Sequence, residues 1–240
     1  MVRRFLVLDA SPAGDAARGL AACLEQHDTT LSLISQREEA GKQAAEGINL
    51  LAAQALEQAG WNTPPDTDSP ISTPATPTPD CVAVVVGPGS FTGLRASCAV
   101  AAGYALGVGA ELVGVSRAEA LAPALAAELA GYDGLAGWLL VTSARRGRVF
   151  VQNNQGDLQA VSVADWQTPQ GRWLVAGDAA EALTFDEPVR SASSTPDPAQ
   201  IASAALRRLA GDLPPLKALP LYVDPPEAKL PADGLRAAPV

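Results

Sequence analysis

The alternation of apolar and polar positions predicts strands first and a helix after them. Residues 5–8 form an apolar run that ends at Asp9, and residues 19–24 and 29–35 predict two more strands. Residues 41–59 then repeat apolar side chains at helical spacing along one stripe. The chain therefore begins with three strands followed by an amphipathic helix.

A proline-rich segment separates this helix from the next elements. Residues 61–80 contain six prolines and five threonines, so we expect a mobile surface insertion without regular secondary structure. Residues 81–86 form a continuous apolar, largely β-branched run, which is typical of a strand buried on both faces. Residues 94–107 predict a helix, and residues 111–115 predict another strand.

A looser copy of this order follows. We predict a helix at 118–130, strands at 138–142, 148–152, 158–163 and 172–176, and a helix at 199–209 opened by Pro198. Two units of similar plan predict an α/β protein with a duplicated domain, mixed sheets and a cleft between the halves. We place the domains at 1–115, including the insertion 61–80, and at 116–213, with a proline-rich C-terminal tail at 214–240.

Composition and charge limit the function classes. The chain is 48% hydrophobic and 18% charged, as in a folded globular protein, and its formal net charge is -9. Proteins that bind nucleic acid directly usually present a basic face, so any contact with nucleic acid is expected to be indirect. The apolar run at 5–8 is too short for a signal peptide, and the uncharged stretch 96–110 is shorter than the roughly 18 residues of a membrane span. We expect a cytoplasmic protein without a membrane contact.

Metal and disulfide chemistry find little support in the sequence. The three cysteines are an odd number without a close pair, and His27 is the single histidine, so no metal site is expected. His27 sits in a polar turn beside Asp28, which makes it a poor general base for Ser90. A glycoprotease would need metal ligands that this chain lacks. We therefore expect no catalytic residue.

The segment Gly-Pro-Gly-Ser-Phe-Thr-Gly-Leu-Arg at 87–95 joins a buried strand to a helix. One interpretation is a phosphate or nucleotide site, because glycines and a helix N-terminus can form an anion-binding nest. The other is a tight strand-to-helix turn in which Ser90 or Thr92 caps the helix. Asp9, at the end of a strand, could hold a magnesium–phosphate group, but Ser143 stands at the matching place of the second unit. The candidate cofactor-binding residues are Asp9, Gly87, Gly89 and Ser90.

The helix predicted at 94–107 has no charge after Arg95 and is apolar on every side. Such a helix is buried on every side, either inside the monomer or beneath a partner. In the preceding helix, Leu50 lies off the apolar stripe. We therefore predict a helical association face, with candidate residues Leu50, Ala53, Cys98, Ala99, Val100 and Gly103.

Residues 87–95 are similar to the hallmark of the TsaB family, formerly called YeaZ. Further resemblances lie at 5–9, 103–107, 113–116, 144–150 and 220–223. The resemblance implies the duplicated ribonuclease-H-like architecture of actin, Hsp70 and the sugar kinases. It also implies a non-catalytic dimerisation subunit of the complex that makes threonylcarbamoyladenosine beside the anticodon of tRNA.

In that family the subunit pairs through its first-domain helices with TsaD, the catalytic paralogue, and TsaE, an ATPase, joins them. The resemblance implies that this chain needs no cofactor, that ATP or ADP belongs to the assembled complex only, and that tRNA is contacted only indirectly. A homodimer through the same helices is expected when the partner is absent. The alternative from the residues is a stand-alone actin-like nucleotide-binding ATPase or phosphotransferase.

The sequence departs from the family pattern at several positions. Ser143 replaces the usual Asp, Ala10 a Thr, Arg148 a Glu and Asp224 an Arg, and the usual His near 41–43 is missing. These changes argue against a nucleotide on this subunit and leave the helical interface untouched.

Overall fold

The computed structural model describes residues 2–14, 17–41, 44–61, 77–145 and 147–223. The first sheet holds five strands: β1 (Val2–Asp9), β2 (Arg18–His27), β3 (Thr30–Ala40), β4 (Cys81–Gly87) and β5 (Glu111–Ser116). Their order is β3-β2-β1-β4-β5. The strands β1 to β3 form an antiparallel meander, whereas β4 pairs in parallel with both β1 and β5.

The second sheet repeats this plan. It contains β6 (Leu135–Ser143), β7 (Arg148–Asn153), β8 (Leu158–Ser162), β9 (Arg172–Ala176) and β10 (Val189–Arg190), in the order β10-β9-β6-β7-β8. Again the first three strands are antiparallel, and the last two run parallel to the first. The shared order shows that the duplication predicted from the sequence is present.

Helices cover both faces of the first sheet. The helices α1 (Ala44–Gln58) and α2 (Phe91–Val108) pack on one face, and α4 (Pro198–Leu209) packs on the other. Consecutive residues of β4 alternate between these two cores, as a strand buried on both faces requires. The helix α3 (Arg117–Leu129) leads from β5 to the second sheet and packs on one of its faces.

The second unit is smaller because it lacks the helices that follow β3 and β4 in the first. A short 3-10 turn at Val163–Asp165 lies between β8 and β9, and another at Ala180–Ala182 lies between β9 and β10. Leu183 and Phe185 fill the face that a helix would otherwise cover. The predicted strand β9 is confirmed at its bounds, whereas β10, only two residues long, was missed.

The predicted domain boundaries stay a prediction. Residues 198–209 fall in the predicted second domain, yet Ile201 and Ala205 of α4 pack on the first sheet. Within the expected insertion 61–80, residues 62–76 lie outside the described residues, and so do residues 224–240 of the predicted tail. The described part of the tail returns to the first sheet, where the Leu221 N–H donates to the Val86 carbonyl.

The helix α2 is longer than predicted. It starts at Phe91, three residues earlier than expected, because Ser90 is its N-cap. Its 18 residues are long and apolar enough to cross a membrane by length and composition alone, and 33% of that window is buried. The uncharged stretch 96–110 was too short for this criterion, which the whole helix meets despite Arg95. Because its buried residues belong to the core over the first sheet, α2 is an element of this α/β fold.

Candidate functional site

The glycine turn at 87–95 packs against the chain that follows β1. The Ser90 N–H donates to the Ser11 carbonyl at 2.8 Å. A Cβ built on Gly89 would lie 2.0 Å from that same carbonyl oxygen, so only glycine fits there. Gly87 has φ +127, a backbone conformation that residues other than glycine rarely adopt. The turn therefore requires glycine in order to bring two backbone segments into contact.

The N–H groups expected to bind an anion are partly used inside the turn. The Ser90 N–H donates to the Ser11 carbonyl, and the Gly93 N–H donates to the Ser90 hydroxyl at 3.2 Å. Ser90 is thus the N-cap of α2, one of the two capping hydroxyls that the sequence offered. This geometry favours the structural interpretation of the turn over the phosphate nest.

Ser90 has no histidine beside it. His27 pairs with Val2 at the start of β1, whereas Ser90 contacts Ser11 just beyond the end of β1. His27 itself is exposed and lies 3.2 Å from Glu25. The two side chains are thus at opposite ends of the sheet, and they cannot form a nucleophile–base pair.

Asp9 is fully buried at the carboxyl end of β1. Its Oδ1 accepts a hydrogen bond from the Ser11 N–H at 2.7 Å, while its Oδ2 and the Ser11 hydroxyl have no partner among the described residues. Within the same part of the chain, no three His, Cys, Asp or Glu side chains form a group that could hold a metal ion. Asp9 is therefore the candidate cofactor residue with an oxygen atom still free.

Sequence reasoning missed an ion pair in the second unit. Arg117, at the start of α3, lies 3.3 Å from Asp178, which follows β9, and the two side chains are 0% and 4% exposed. Asp178 also accepts a hydrogen bond from the Ser143 N–H at 2.9 Å, and Arg117 donates to the Ser194 carbonyl at 3.3 Å. An acid does lie beside Ser143, but it belongs to the turn after the neighbouring strand β9 and forms an ion pair with Arg117.

The sequence pattern held a signal for Asp178, although it held none for Arg117. Gly177 follows the buried strand β9 as Gly87 closes the buried strand β4, and Gly177 has φ +107. A Cβ at Gly177 would lie 2.0 Å from the Val141 carbonyl oxygen. Both units thus place a glycine of positive φ at the end of their fourth strand, and Asp178 comes directly after the second of these glycines.

The outer surface of α2 is exposed and uncharged beyond Arg95. Ala99, Ala102, Gly103 and Leu106 are exposed, and Leu106 is 87% exposed. The alternative in which α2 is buried on every side within the monomer is therefore wrong, as far as the described residues can cover it. On the neighbouring α1, Leu50 is 60% exposed, and Ala53 is exposed as well. We call these six residues the helical face.

Two predicted interface residues lie elsewhere on α2. Cys98 is 5% exposed and belongs to the core over the first sheet. Val100 is half-buried and packs on the same core. The helical periodicity explains the difference, because Ala99 and Ala102 point outward while positions 98 and 101 point to the sheet.

The three thiols are buried and unreactive. Burial raises the pKa of Cys23 and Cys98 to about 11 and the pKa of Cys81 to about 12. A hydrogen bond with Ser35 lowers the pKa of Cys23, though by less than burial raises it. Such thiols stay protonated at neutral pH and serve as small core residues.

Comparisons with known proteins agree with this architecture. The family model described as "TsaD: tRNA N6-adenosine threonylcarbamoyltransferase" matches residues 33–165. Uncharacterized proteins of Mycobacterium tuberculosis and Mycobacterium bovis are 34% identical over 154 residues, which is 62% of this chain. The chain spans 66% of the length of these curated relatives.

Two solved structures share the fold. YeaZ from Pseudomonas aeruginosa has a TM-score of 0.60 at 20% identity, covering 92% of this chain and 99% of that one. A Pseudomonas aeruginosa protein described as similar to peptidase YEAZ has a TM-score of 0.61 at 21% identity, with 92% and 100% covered.

Two mixed sheets of one strand order, joined by α3 and packed with helices, define a duplicated ribonuclease-H-like protein of the actin and sugar-kinase architecture. The family match covers more than half of the chain and includes the glycine turn. The chain belongs to the family that the TsaD model describes, and it shares the fold of YeaZ from Pseudomonas aeruginosa. The family resemblance read from residues 87–95 is confirmed.

Proposed function

We propose that this protein takes part in threonylcarbamoyladenosine synthesis on tRNA as a non-catalytic dimerisation subunit. Its partner is a TsaD-like catalytic paralogue, and a TsaE-like ATPase joins the pair. The observation that carries the proposal is the helical face, six exposed and uncharged residues on the long helix α2 and the neighbouring α1, where the exposed Glu46 and Glu57 flank Leu50 and Ala53. Exposed apolar surface of this kind is typical of a protein–protein contact.

The geometry of the glycine turn supports an accessory role. Ser90 caps a helix far from His27, and the three thiols are buried with raised pKa values. The only acid beside Ser143 in the described second sheet, Asp178, is tied to Arg117. Such a subunit contributes a binding surface. The chemistry, with any ATP or ADP, belongs to the assembled cytoplasmic complex.

The small side chains of the helical face suit close packing with partner helices. Ala99, Ala102 and Gly103 leave the α2 backbone close to the surface, and Leu106 projects from it. Close approach brings many atoms into van der Waals contact, and Leu106 supplies the large apolar area that an interface core requires. The same surface would form a homodimer in the absence of the partner.

The direct test mixes this chain with the TsaD of the same organism and measures complex formation by size-exclusion chromatography with light scattering. We expect a heterodimer that Leu106→Glu abolishes, because a carboxylate would be buried without a partner. Tyr132→Glu is the matched control, since Tyr132 is 46% exposed but lies outside the helical face. Absence of a complex with the unaltered chain would refute the proposal.

One observation favours a second candidate, a stand-alone nucleotide-binding enzyme. The Asp9 Oδ2 has no hydrogen-bond partner in the described structure, which is compatible with a carboxylate oxygen that binds a magnesium ion. Calorimetry with ATP and magnesium separates the two candidates. A dissociation constant tighter than about 10 μM, near -7 kcal/mol, would favour this enzyme.

A further inference from the structure

An exposed arginine is clamped between two aromatic rings at the start of α2. The Arg95 guanidinium carbon lies 3.7 Å from the centre of the Phe91 ring, and its Nε donates to the Tyr222 hydroxyl at 2.8 Å. The Phe91 and Tyr222 rings are 5.4 Å apart. The cluster joins the glycine turn to the C-terminal segment.

The cluster stays accessible although its members contact one another. Phe91 is 51% exposed and Tyr222 is 50% exposed, and Arg95 is exposed as well. Arg95 is the one charged residue of α2, and no described carboxylate lies within ion-pair distance of it. Its two terminal nitrogens have no hydrogen-bond partner in the described chain. A guanidinium held in one orientation with both terminal nitrogens open is suited to a bidentate oxyanion.

The cluster is continuous with the helical face. Steps of four, three and four residues place Arg95, Ala99, Ala102 and Leu106 on one stripe of α2, and all four are exposed. A partner segment that covers Leu106 and Ala102 would continue onto Arg95. The stripe is otherwise uncharged, so Arg95 is the place where charge complementarity can fix the orientation of that segment.

We propose that Arg95, held by Phe91 and Tyr222, is a carboxylate-binding anchor for the protein partner that docks on the helical face. The occupant is a partner segment that carries an Asp or Glu opposite Arg95. This inference rests on the proposed function, since it names the chemistry by which the catalytic subunit is recognised there. Because Phe91 and Tyr222 hold the guanidinium in advance, less side-chain entropy is lost when the carboxylate binds.

An RNA phosphate is the other oxyanion that could meet Arg95, and the surroundings disfavour it. RNA binding needs several cations along a backbone, because each neutralised phosphate adds only part of the affinity. Here a single arginine lies on an otherwise apolar stripe of α2, and the chain carries a formal net charge of -9. Arginine and tyrosine are, in contrast, among the residues most enriched in the energetic centres of protein interfaces.

The experiment measures the dissociation constant of the complex with the cognate TsaD for single variants. We expect Arg95→Gln to weaken it about tenfold or more, the scale of one charge-assisted hydrogen-bonded pair. Arg95→Lys should weaken binding to an intermediate extent, because lysine keeps the positive charge but cannot donate the two parallel hydrogen bonds of a guanidinium. Tyr222→Phe, which keeps the ring but removes the hydroxyl that holds Nε, should weaken binding by about threefold or less, since a neutral hydrogen bond contributes modestly. Arg172→Gln, which alters another half-exposed arginine, on the second sheet, is the matched control and should change nothing.

The outcomes separate this inference from the proposed function. If Arg95→Gln binds like the unaltered chain while Leu106→Glu does not bind, the anchor is wrong and the proposed function stands. If the unaltered chain forms no complex, the proposed function itself fails. A parallel titration with a labelled anticodon stem-loop RNA covers the other ligand. Loss of RNA binding in Arg95→Gln with unchanged TsaD binding would overturn the carboxylate anchor.

Discussion

The carbonyl oxygen of Ala10 occupies the place that a side chain at residue 93 would take. A Cβ built on Gly93 would lie 1.9 Å from that oxygen, in the first turn of α2. The start of the helix is thus pressed onto the backbone that follows β1. Since this contact fixes where α2 begins, it also fixes the direction in which α2 presents the helical face.

Two glycines of α2 provide a matched test of that contact. Gly93→Ala should lower the free energy of unfolding by about 1 to 3 kcal/mol, because the added methyl group meets backbone atoms that cannot turn aside. Gly107→Ala has nothing within 4 Å and should be neutral or stabilise the helix by up to about 1 kcal/mol. Urea unfolding followed by circular dichroism measures both. Equal effects at the two positions would show that Gly93 is not closely packed.

The Ser90 hydroxyl is expected to act as a cap and not as a reactive group. Ser90→Ala should cost about 1 kcal/mol of stability, because the Gly93 N–H loses its acceptor. Ser90→Asp keeps an acceptor at this position and should retain most of that stability. Thermal unfolding of the three proteins checks the order. A stable Ser90→Ala protein that fails to support tRNA modification would instead assign Ser90 a chemical role.

The Arg117–Asp178 pair is expected to hold the start of α3 against the second sheet. Arg117→Met leaves a buried carboxylate without its cation, which typically costs about 3 to 5 kcal/mol. Adding Asp178→Asn removes that charge while keeping an acceptor for the Ser143 N–H, so the double variant should be more stable than Arg117→Met alone. A double-mutant cycle in urea gives the coupling. Additive losses would mean that the two charges do not interact.

Stability should fall in alkaline solution through the buried thiols. Their usual pKa of 9.0 applies in the unfolded chain, whereas burial raises the pKa to about 11 or about 12 in the folded protein. Between about pH 9 and pH 11 the unfolded chain loses these protons and the folded chain keeps them. Each thiol therefore lowers stability by about 1.4 kcal/mol per pH unit in that window.

Urea midpoints from pH 8 to pH 11 measure this effect, and Cys81→Ala serves as the comparison. Because the variant lacks the thiol with the largest shift, its stability should fall less steeply with pH. Identical slopes for the two proteins would contradict the buried state of Cys81.

The sequence was most informative where one pattern determines one structure. The apolar run at 81–86 is typical of a strand buried on both faces, which it is, and Pro198 marks the start of α4. The glycine turn was located from its residues, but its partner was not, since the contact with Ala10 and Ser11 joins distant parts of the chain. Such a close approach of two backbone segments shows in the sequence only through the glycine that it requires.

The rest depended on relationships that a single sequence does not encode. Arg117 and Asp178 are 61 positions apart, so although Gly177 marks the turn that carries Asp178, nothing in the sequence links that turn to Arg117. For α2, composition indicated an apolar helix, but only packing reveals that Ala99 faces outward and Cys98 inward. A helix that is apolar all round carries no polar face from which to set its orientation.

We propose that this chain supports the tRNA-modifying reaction through its helical face. The most direct measurement reconstitutes threonylcarbamoyladenosine formation on tRNA from the cognate TsaD, TsaE and threonylcarbamoyl adenylate, with and without this chain. We expect product only when the chain is present, product retained with Tyr132→Glu, and product lost with Leu106→Glu. Full product without the chain, or undiminished product with Leu106→Glu, would contradict this role of the helical face.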